Sequence, residues 1–138
     1  MSEVRQAGAV AIGGRALLIE GAPGSGKSSL ALALIDRGAA LIGDDGVTLD
    51  LRAGHVWAAP PPNTAGLIEI RNVGIVTLPT VEARVALVLR LDADAPRYVE
   101  QAAQIELLGR PIPLLRLHPA AWPLALRAEW AFARYALT

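Results

Sequence analysis

The chain has 138 residues, 53% of them hydrophobic and 19% charged, which predicts one well-packed globular domain over residues 1–138. Its 13 basic and 13 acidic residues balance, so neither nucleic acid nor an anionic membrane is expected as a main partner. There is no cysteine, which excludes disulfides and thiolate metal sites and fits a cytoplasmic location. No apolar stretch resembles a signal peptide or a membrane span.

The first predicted elements are a hairpin and a helix. Two strands are expected over 9–12 and 15–20, joined by Gly13-Gly14. A helix is expected over 27–37, with Leu30, Ala31 and Leu34 on one face and Gly38 as its C-terminal stop. Further short strands, separated by turn residues, are predicted over 39–42, 47–51, 55–58, 67–71, 75–78, 84–91, 105–108 and 112–117.

The last part of the chain is predicted to be a loop, a hairpin and a helix. Residues 92–104 are polar and favour a loop with a helical turn. A terminal helix is expected over 119–135, beginning nearer Ala121 because Pro123 falls in its first turns. Its apolar spacing predicts one buried face, formed by Trp122, Leu126, Trp130 and Ala133, and Trp57 is also expected in the core. Only residues 15–37 alternate strand and helix, so the predicted fold is α/β with a mixed, largely antiparallel sheet.

Residues 21–28 match the phosphate-binding pattern G-x-x-x-x-G-K-[ST] between a predicted strand and a predicted helix. Glycines let the backbone N–H groups wrap around a phosphate, and the helix N-terminus favours the anion. Lys27 is the one lysine among 13 basic residues and is expected to reach the β- and γ-phosphates, with the Ser28 hydroxyl on Mg²⁺. The nucleotide-binding residues predicted here are Gly21, Ala22, Pro23, Gly24, Ser25, Gly26, Lys27, Ser28 and Ser29.

Asp44-Asp45 follows a predicted strand, 17 and 18 residues after Lys27. A carboxylate at a strand end beside a phosphate loop can hold Mg²⁺, directly or through water. It can also accept a proton from an attacking hydroxyl. The alternative is that Gly-Asp-Asp-Gly is a polar turn without a chemical role.

Glu69 and Arg71 share one face of the otherwise apolar segment 67–74. One interpretation is a structural ion pair between them. In an active site, Glu69 would be a metal ligand and Arg71 would neutralise phosphoryl charge. Arg97, which follows the most apolar predicted strand, reads on its own as a solvated surface arginine.

Together these motifs resemble the catalytic domain of bacterial HPr kinase/phosphorylase. That family has a phosphate loop, then an Asp-Asp pair at fixed spacing, then a signature close to L-E-I-R-G-L-G-I, matched here by residues 68–75. The resemblance extends from about Val4 to about Leu117. It implies a fold similar to phosphoenolpyruvate carboxykinase and a protein serine kinase that phosphorylates HPr with ATP and Mg²⁺, and it looks like the short form of some alphaproteobacteria.

The resemblance also implies roles for single residues. Lys27 and its loop would bind the phosphates, while Ser28 and Glu69 would bind Mg²⁺. Asp44 is a further candidate Mg²⁺ ligand because of its position at the strand end, as argued above. Asp45 matches the residue that takes the proton from the substrate serine. Arg97 matches a catalytic arginine. The family assembles into hexamers, so a homo-oligomer is expected as well.

Three departures from the family pattern affect the expected activity. The family's histidine, 21 residues before the loop lysine, is Gln6 here, and the first glycine of the signature is Asn72. The family's R-P-G-R-N motif, tied to dephosphorylation, is missing near 115–119. Kinase activity is therefore better supported than phosphorolysis, and two alternatives are a silent nucleotide-binding sensor and a small-molecule kinase.

Overall fold

The computed structural model describes residues 2–138, which form eleven strands and two helices. The strands are β1 (Ser2–Arg5), β2 (Gly8–Ile12), β3 (Arg15–Gly21), β4 (Ala40–Gly43), β5 (Val47–Arg52), β6 (His55–Ala59), β7 (Leu67–Ile70), β8 (Gly74–Thr77), β9 (Ala83–Leu91), β10 (Ala103–Leu107) and β11 (Arg110–Leu117). The helices are α1 (Lys27–Asp36) and α2 (Leu124–Tyr135).

Nine strands form one mixed sheet, in the order β1-β5-β6-β9-β3-β2-β4, with β11 and then β10 attached to β9. Strand β9 runs parallel to β3 and β11, and the other pairings in the sheet are antiparallel. The predicted fold class, α/β with a mixed and largely antiparallel sheet, is confirmed. Strands β7 and β8 form a separate hairpin.

The sheet is strongly curled, because the same two stretches of chain pair at both of its ends. Residues 2–12 supply β1 and β2, and residues 40–52 supply β4 and β5. Strand β1 pairs with β5 at one end of the strand order, and β2 pairs with β4 at the other. The two stretches are interrupted opposite each other, at residues 6–7 and 44–46, and Asp44 and Asp45 lie in that interruption.

Two hydrophobic cores lie on the two faces of the curled sheet. Alternate residues of β3 point into different cores, Leu18 into one and Leu17 and Ile19 into the other, as the two-residue period of a strand requires. The first core is built from strands alone. The second is covered by α1, through Leu30, Ala31 and Leu34 as predicted, and by α2.

The C-terminal helix differs from the sequence expectation. It begins at Leu124, with Pro123 as the capping residue, rather than at Pro119 or Ala121. The predicted buried face is wrong: Trp122 and Trp130 are 89% and 76% exposed, and Leu126 and Ala133 are exposed too. The buried side chains are Ala128, Ala131 and Phe132, because the helix packs this other stripe, two alanines and one aromatic ring, against α1 and the sheet. Trp57, also expected in the core, is half-buried.

Two other segments also differ. The polar N-terminus, not predicted as a strand, forms β1, which is held by its pairing with β5 rather than by burial. Residues 92–102 contain no helix, only a turn closed by a hydrogen bond from the Ala95 N–H to the Asp92 carbonyl at 3.1 Å. The backbone N–H of Asp94 donates to the Asp92 carboxylate and, with Arg116 nearby, lowers the pKa of Asp92 below its ordinary value. That carboxylate therefore keeps its charge to a lower pH than an ordinary aspartate, and its two contacts anchor the start of the loop.

A β-bulge near the start of β9 receives the end of the chain. Ala16 pairs with Val85 and Leu17 with Leu87, so Ala86 has no partner on β3. The Ala86 carbonyl instead accepts a hydrogen bond from the Leu137 N–H at 2.9 Å. Two arginine side chains bind the last two residues. Arg15 donates to the Leu137 carbonyl oxygen, and Arg84 donates to a main-chain oxygen of Thr138, both at 2.6 Å.

Gly43 makes the interruption after β4 sterically feasible. It is buried, and a Cβ atom on it would collide with the Gly46 carbonyl oxygen and lie 3.1 Å from Pro61 Cδ. Gly46, three residues later, has room for a Cβ, since its nearest neighbour would be Pro61 Cβ at 3.8 Å. The tight turn that carries Asp44 and Asp45 thus depends on glycine at position 43 and not at 46.

We expect Gly43→Ala to lower the free energy of unfolding by about 1–3 kcal/mol, because the added methyl must displace backbone. The matched control, Gly46→Ala, should change it by less than about 1 kcal/mol. Urea unfolding followed by circular dichroism measures both. Equal effects of the two variants would contradict the steric role assigned to Gly43.

Candidate active site

The glycine-rich loop lies between the end of β3 and the start of α1. Gly24 and Gly26 adopt φ of 78° and 102°, the left-handed region that favours glycine. The loop tightens through a hydrogen bond from the Ser25 N–H to the Ala22 carbonyl at 3.0 Å. No side chain caps the first turn of α1, so its leading N–H groups are available to an anion.

The side chains of Lys27 and Ser25 lie against the backbone of the loop that carries them. Lys27 Nζ donates to the carbonyl oxygens of Gly21 at 3.0 Å and Ala22 at 3.2 Å. Ser25 Oγ is buried and has no hydrogen-bond partner within residues 2–138. A Cβ on Gly21 would come within 2.5 Å of this oxygen, which explains the glycine at that position. The loop therefore offers an ammonium group to a ligand, whereas the unpaired Ser25 hydroxyl is enclosed within the loop and does not line the cleft.

Asp44 connects the loop to the other side of the site. Its Oδ1 accepts a hydrogen bond from Ser28 Oγ at 2.6 Å, and its Oδ2 accepts one from the Glu69 N–H at 3.4 Å. One carboxylate thus joins the first turn of α1 to β7. A serine hydroxyl beside a carboxylate is an oxygen donor set of the kind that suits Mg²⁺.

The described residues contain no group of three or more His, Asp or Glu side chains placed to hold a metal ion on their own. Mg²⁺ is commonly bound by one or two carboxylates, with water and substrate phosphates supplying the other oxygens. Ser28, Asp44 and Glu69 therefore fit a cation that arrives with a nucleotide. They do not fit a permanent structural metal.

Asp45 occupies the exposed side of the same turn. Its φ is 62°, a left-handed conformation that is uncommon outside glycine and that Asp tolerates better than most residues. Unlike Asp44, it takes part in no hydrogen bond or ion pair with residues 2–138. Its carboxylate is thus accessible to a molecule bound in front of the loop.

Glu69 and Arg71 are carried by the hairpin β7–β8. The buried Ile68 anchors the hairpin, and the Leu78 N–H ties its base to the Gly66 carbonyl at 2.8 Å. Asn72 turns the chain with φ of 69°. Neither Glu69 nor Arg71 takes part in an ion pair of the described chain, so the expected alternative of a structural pair between them is wrong.

These groups surround one cleft of about 730 Å³, large enough for a nucleotide. The chain supplies its walls from three regions: the glycine loop with α1, the turn after β4, and the segment around the hairpin β7–β8. The lining residues are Pro23, Gly24, Gly26, Lys27, Ser28, Ser29, Asp44, Asp45, Gly46, Thr64, Leu67, Glu69, Arg71 and Ile75. Hereafter this is the loop cleft.

Four predicted site residues do not line the loop cleft: Gly21, Ala22 and Ser25, which belong to the glycine loop itself, and Arg97, which lies elsewhere. Arg97 is exposed in the loop between β9 and β10. Conversely, Thr64, Leu67 and Ile75 line the cleft but were not predicted as site residues. Their apolar or weakly polar character gives no chemical signal. The hairpin β7–β8 brings Leu67 and Ile75 there, and Thr64 precedes it, with its carbonyl bonded to the Leu67 N–H at 3.1 Å.

Gln6 follows the end of β1. Its neighbour Arg5 pairs with Val47, the first residue of β5 after the Asp44–Gly46 turn. The next position along β1 is therefore beside that turn. Arg5 is itself fixed by an ion pair with Glu20 at 2.7 Å, and Glu20 also pairs with Arg90 at 3.0 Å.

Comparison with known proteins identifies the family of the chain. The sequence model of the HPr Serine kinase C-terminal domain matches residues 2–86. A protein named HPr kinase/phosphorylase from Cupriavidus necator is 31% identical over 121 residues, covering 78% of this chain and 38% of the relative. One of the same name from Clostridium tetani is 40% identical over 68 residues, covering 49% of this chain and 22% of the relative. The chain thus spans less than half the length of these relatives.

A solved structure agrees with the sequence matches. It is titled the structure of the Hpr(Ser) kinase/phosphatase from Coxiella burnetii, and it superposes with a TM-score of 0.83 at 28% identity. The match covers 95% of this chain and 88% of the other. In residues 2–138 no helix is both long and apolar enough to cross a membrane. The fold, the site and these matches together show that the chain belongs to the family of the HPr serine kinase C-terminal domain.

Proposed function

We propose that this chain is an ATP- and Mg²⁺-dependent serine kinase of HPr or an HPr-like phosphocarrier protein, acting in the cytoplasm. The observation that carries the proposal is the loop cleft. It brings Asp45 and Glu69, 17 and 41 residues further along the chain than Ser28, to the same cleft as Lys27 and Ser28. The names of the relatives point to the same reaction.

In the proposed reaction the loop holds the nucleotide. The N–H groups of the loop and of the first turn of α1 bind the phosphate oxygens. Lys27 turns from the carbonyls of Gly21 and Ala22 to the β- and γ-phosphates. Mg²⁺, when bound with the nucleotide by Ser28, Asp44 and Glu69, supplies charge neutralisation on the phosphates.

Asp45 is the proposed general base. Its carboxylate is accessible, faces the loop across the cleft, and is not engaged by other described residues. It would take the proton of the substrate serine as the serine oxygen attacks the γ-phosphorus, and ADP leaves. Arg71, on the opposite wall, would stabilise the charge on the transferred phosphoryl group.

Arg97 stays a weaker part of this proposal. In a single chain it is exposed and outside the loop cleft, so a role in transfer requires the loop 92–102 to move toward a bound substrate. A homo-oligomer is proposed by analogy with the family. Phosphorolysis is not proposed as the main activity, because Gln6 cannot titrate as a histidine would.

One alternative is supported by a specific observation, the glutamine beside the Asp44–Gly46 turn. A chain that kept the phosphate loop and lost turnover would be a nucleotide-binding sensor. Its cleft would hold ATP and the phosphoryl group would stay in place. ATP binding therefore cannot separate the two functions, whereas phosphate transfer can.

The direct test incubates the protein with ATP, Mg²⁺ and the HPr-like proteins of its own host. We expect phosphoserine on one of them, detected by mass spectrometry. An HPr kinase/phosphorylase from another source, active in parallel, controls for the substrate preparation. If no phosphoserine forms on any carrier while ATP still binds, the sensor function replaces the kinase.

Asp45→Asn should lower the rate of serine phosphorylation by about 10²–10⁴-fold, because the amide cannot accept the proton. ATP affinity, measured by calorimetry, should change little. The matched control is Asp36→Asn, an exposed aspartate at the end of α1 that lies outside the loop cleft. Transfer that survives in Asp45→Asn at the wild-type rate would exclude Asp45 as the base.

Ser28→Ala should raise the Mg²⁺ concentration needed for half-maximal activity by about tenfold, because it removes the hydroxyl bonded to Asp44. Ser28→Thr keeps a hydroxyl there and should restore the Mg²⁺ dependence. A titration of activity against Mg²⁺ at saturating ATP measures both. An alanine variant with the same Mg²⁺ dependence as wild type would remove Ser28 from the metal site.

A further inference from the structure

A second cavity, of about 290 Å³, lies at the other end of the sheet. The loop cleft is at the end of β3, whereas this cavity is at the starts of β6, β9 and β11. Strand β3 has seven residues, so the two sites are roughly 20 Å apart along it. The end of the chain forms one wall, so we call it the tail cavity. Its lining residues are Gly54, His55, Val56, Arg84, Val85, Arg110, Pro111, Ile112, Leu137 and Thr138.

The tail cavity is cationic. Two arginines and a histidine line it, and none of its lining residues is acidic. The Arg110 guanidinium crosses the turn at Gly54, where a Cβ would be 3.6 Å from its Nη2. Arg15, the register partner of Arg84, adds a third guanidinium beside the chain end. This concentration of positive charge contrasts with a chain whose net charge is zero.

The nearby carboxylates do not neutralise these groups. Asp50 and Glu82 are bound by Arg52, through contacts of 3.0 and 2.7 Å. Glu106 lies opposite Pro111 in the pairing of β10 with β11, yet forms no ion pair with Arg110 within residues 2–138. Arg110 takes part in no hydrogen bond or ion pair of that range. Arg15 donates to the Leu137 carbonyl, and Arg84 donates to a main-chain oxygen of Thr138, where an α-carboxylate would offset one positive charge and leave Arg110 unpaired.

We propose that the tail cavity binds a small oxyanion with two or more negative charges. Arginine presents a planar fork of donors that matches phosphate, sulfate or carboxylate oxygens, and His55 adds a further ring N–H. The volume of the cavity, about 290 Å³, is at the low end of the range for ligand pockets and suits a small molecule. The cavity lies next to the Arg84–Thr138 contact. An anion bound there would therefore compete for Arg84 with residue 138, close to where Leu137 packs on the bulge at Ala86.

Anion titrations of the isotope-labelled protein, followed by amide NMR, test the proposal. Sodium sulfate and sodium malonate serve as probes, with sodium chloride at matched ionic strength as the control. We expect sulfate, malonate or both to shift the amides of Gly54, Val85 and Ile112 in a saturable manner. The probe that binds tells a tetrahedral anion from a dicarboxylate. In the same sample, sulfate at the loop cleft shifts the amides of Gly24 and Gly26, which reports that site separately.

Arg110→Gln should weaken binding at the tail cavity by about tenfold or more, since it removes a charged donor, and leave the response of the loop amides unchanged. Arg110→Lys keeps the charge but loses the planar fork of donors, so its affinity for the anion should lie between those of the wild type and Arg110→Gln. Arg134→Gln, an exposed arginine of α2 outside both cavities, is the matched control and should titrate as wild type.

Three results would overturn the proposal. The first is that the tail-cavity amides stay unshifted while the loop amides saturate with sulfate. The second is that sodium chloride produces the same shifts as both probes. The third is that Arg110→Gln titrates as wild type. Because the loop cleft is read in the same spectra, a failure here leaves the proposed kinase function untouched, and the reverse holds as well.

Discussion

The hydrogen bond from Ser28 to Asp44 joins the two parts of the chain on which the site depends. Ser28 lies in the first turn of α1, and Asp44 lies where the paired stretches 2–12 and 40–52 are interrupted. A second contact, from the Glu69 N–H to the same carboxylate, brings in the hairpin β7–β8. A single aspartate thus connects the glycine loop, the acidic turn and the hairpin β7–β8. Its neighbour Asp45 takes part in no hydrogen bond or ion pair with residues 2–138 and lines the loop cleft.

The curl of the sheet makes this meeting possible. If β1 and β5 lay at one edge of a flat sheet and β2 and β4 at the other, the chain could not pass between them within two or three residues. The ion pairs of Glu20 strengthen the curl close to the loop. This carboxylate is only 12% exposed and lies between Arg5 of β1 and Arg90 of β9, and it immediately precedes the glycine loop. A partly buried carboxylate with two guanidinium partners is satisfied in its charge and geometrically restrained.

The sequence was informative where local chemistry decides the structure. The glycines of residues 21–28 require left-handed or crowded backbone, and the apolar spacing of α1 places Leu30, Ala31 and Leu34 correctly. Most strand positions followed from turn residues and alternation. By contrast, β1 consists mostly of polar and exposed residues, so no hydrophobic pattern predicts it as a strand. It becomes a strand only through its pairing with β5, which local sequence does not reveal. The wall residues Leu67 and Ile75 likewise depend on a hairpin that local sequence describes only as extended.

The error in α2 has a physical reason as well. Large aromatic residues at helical spacing are usually buried, because each removes much apolar surface from water. Here the face that packs on α1 and the sheet is formed by Ala128, Ala131 and Phe132. Helical periodicity allows either apolar stripe to be buried. The buried stripe combines two alanines, which let the helix approach closely, with one aromatic ring that fills the core.

That exposure determines what the protein's intrinsic fluorescence can report. Two of its three tryptophans, Trp122 and Trp130, already face water in the native state, and Trp57 is half-buried with the Arg52 guanidinium over its ring. Unfolding therefore moves few indole rings from an apolar environment into solvent. The emission maximum of the folded protein will lie close to that of the denatured chain, and changes in emission will report on what approaches the outer face of α2.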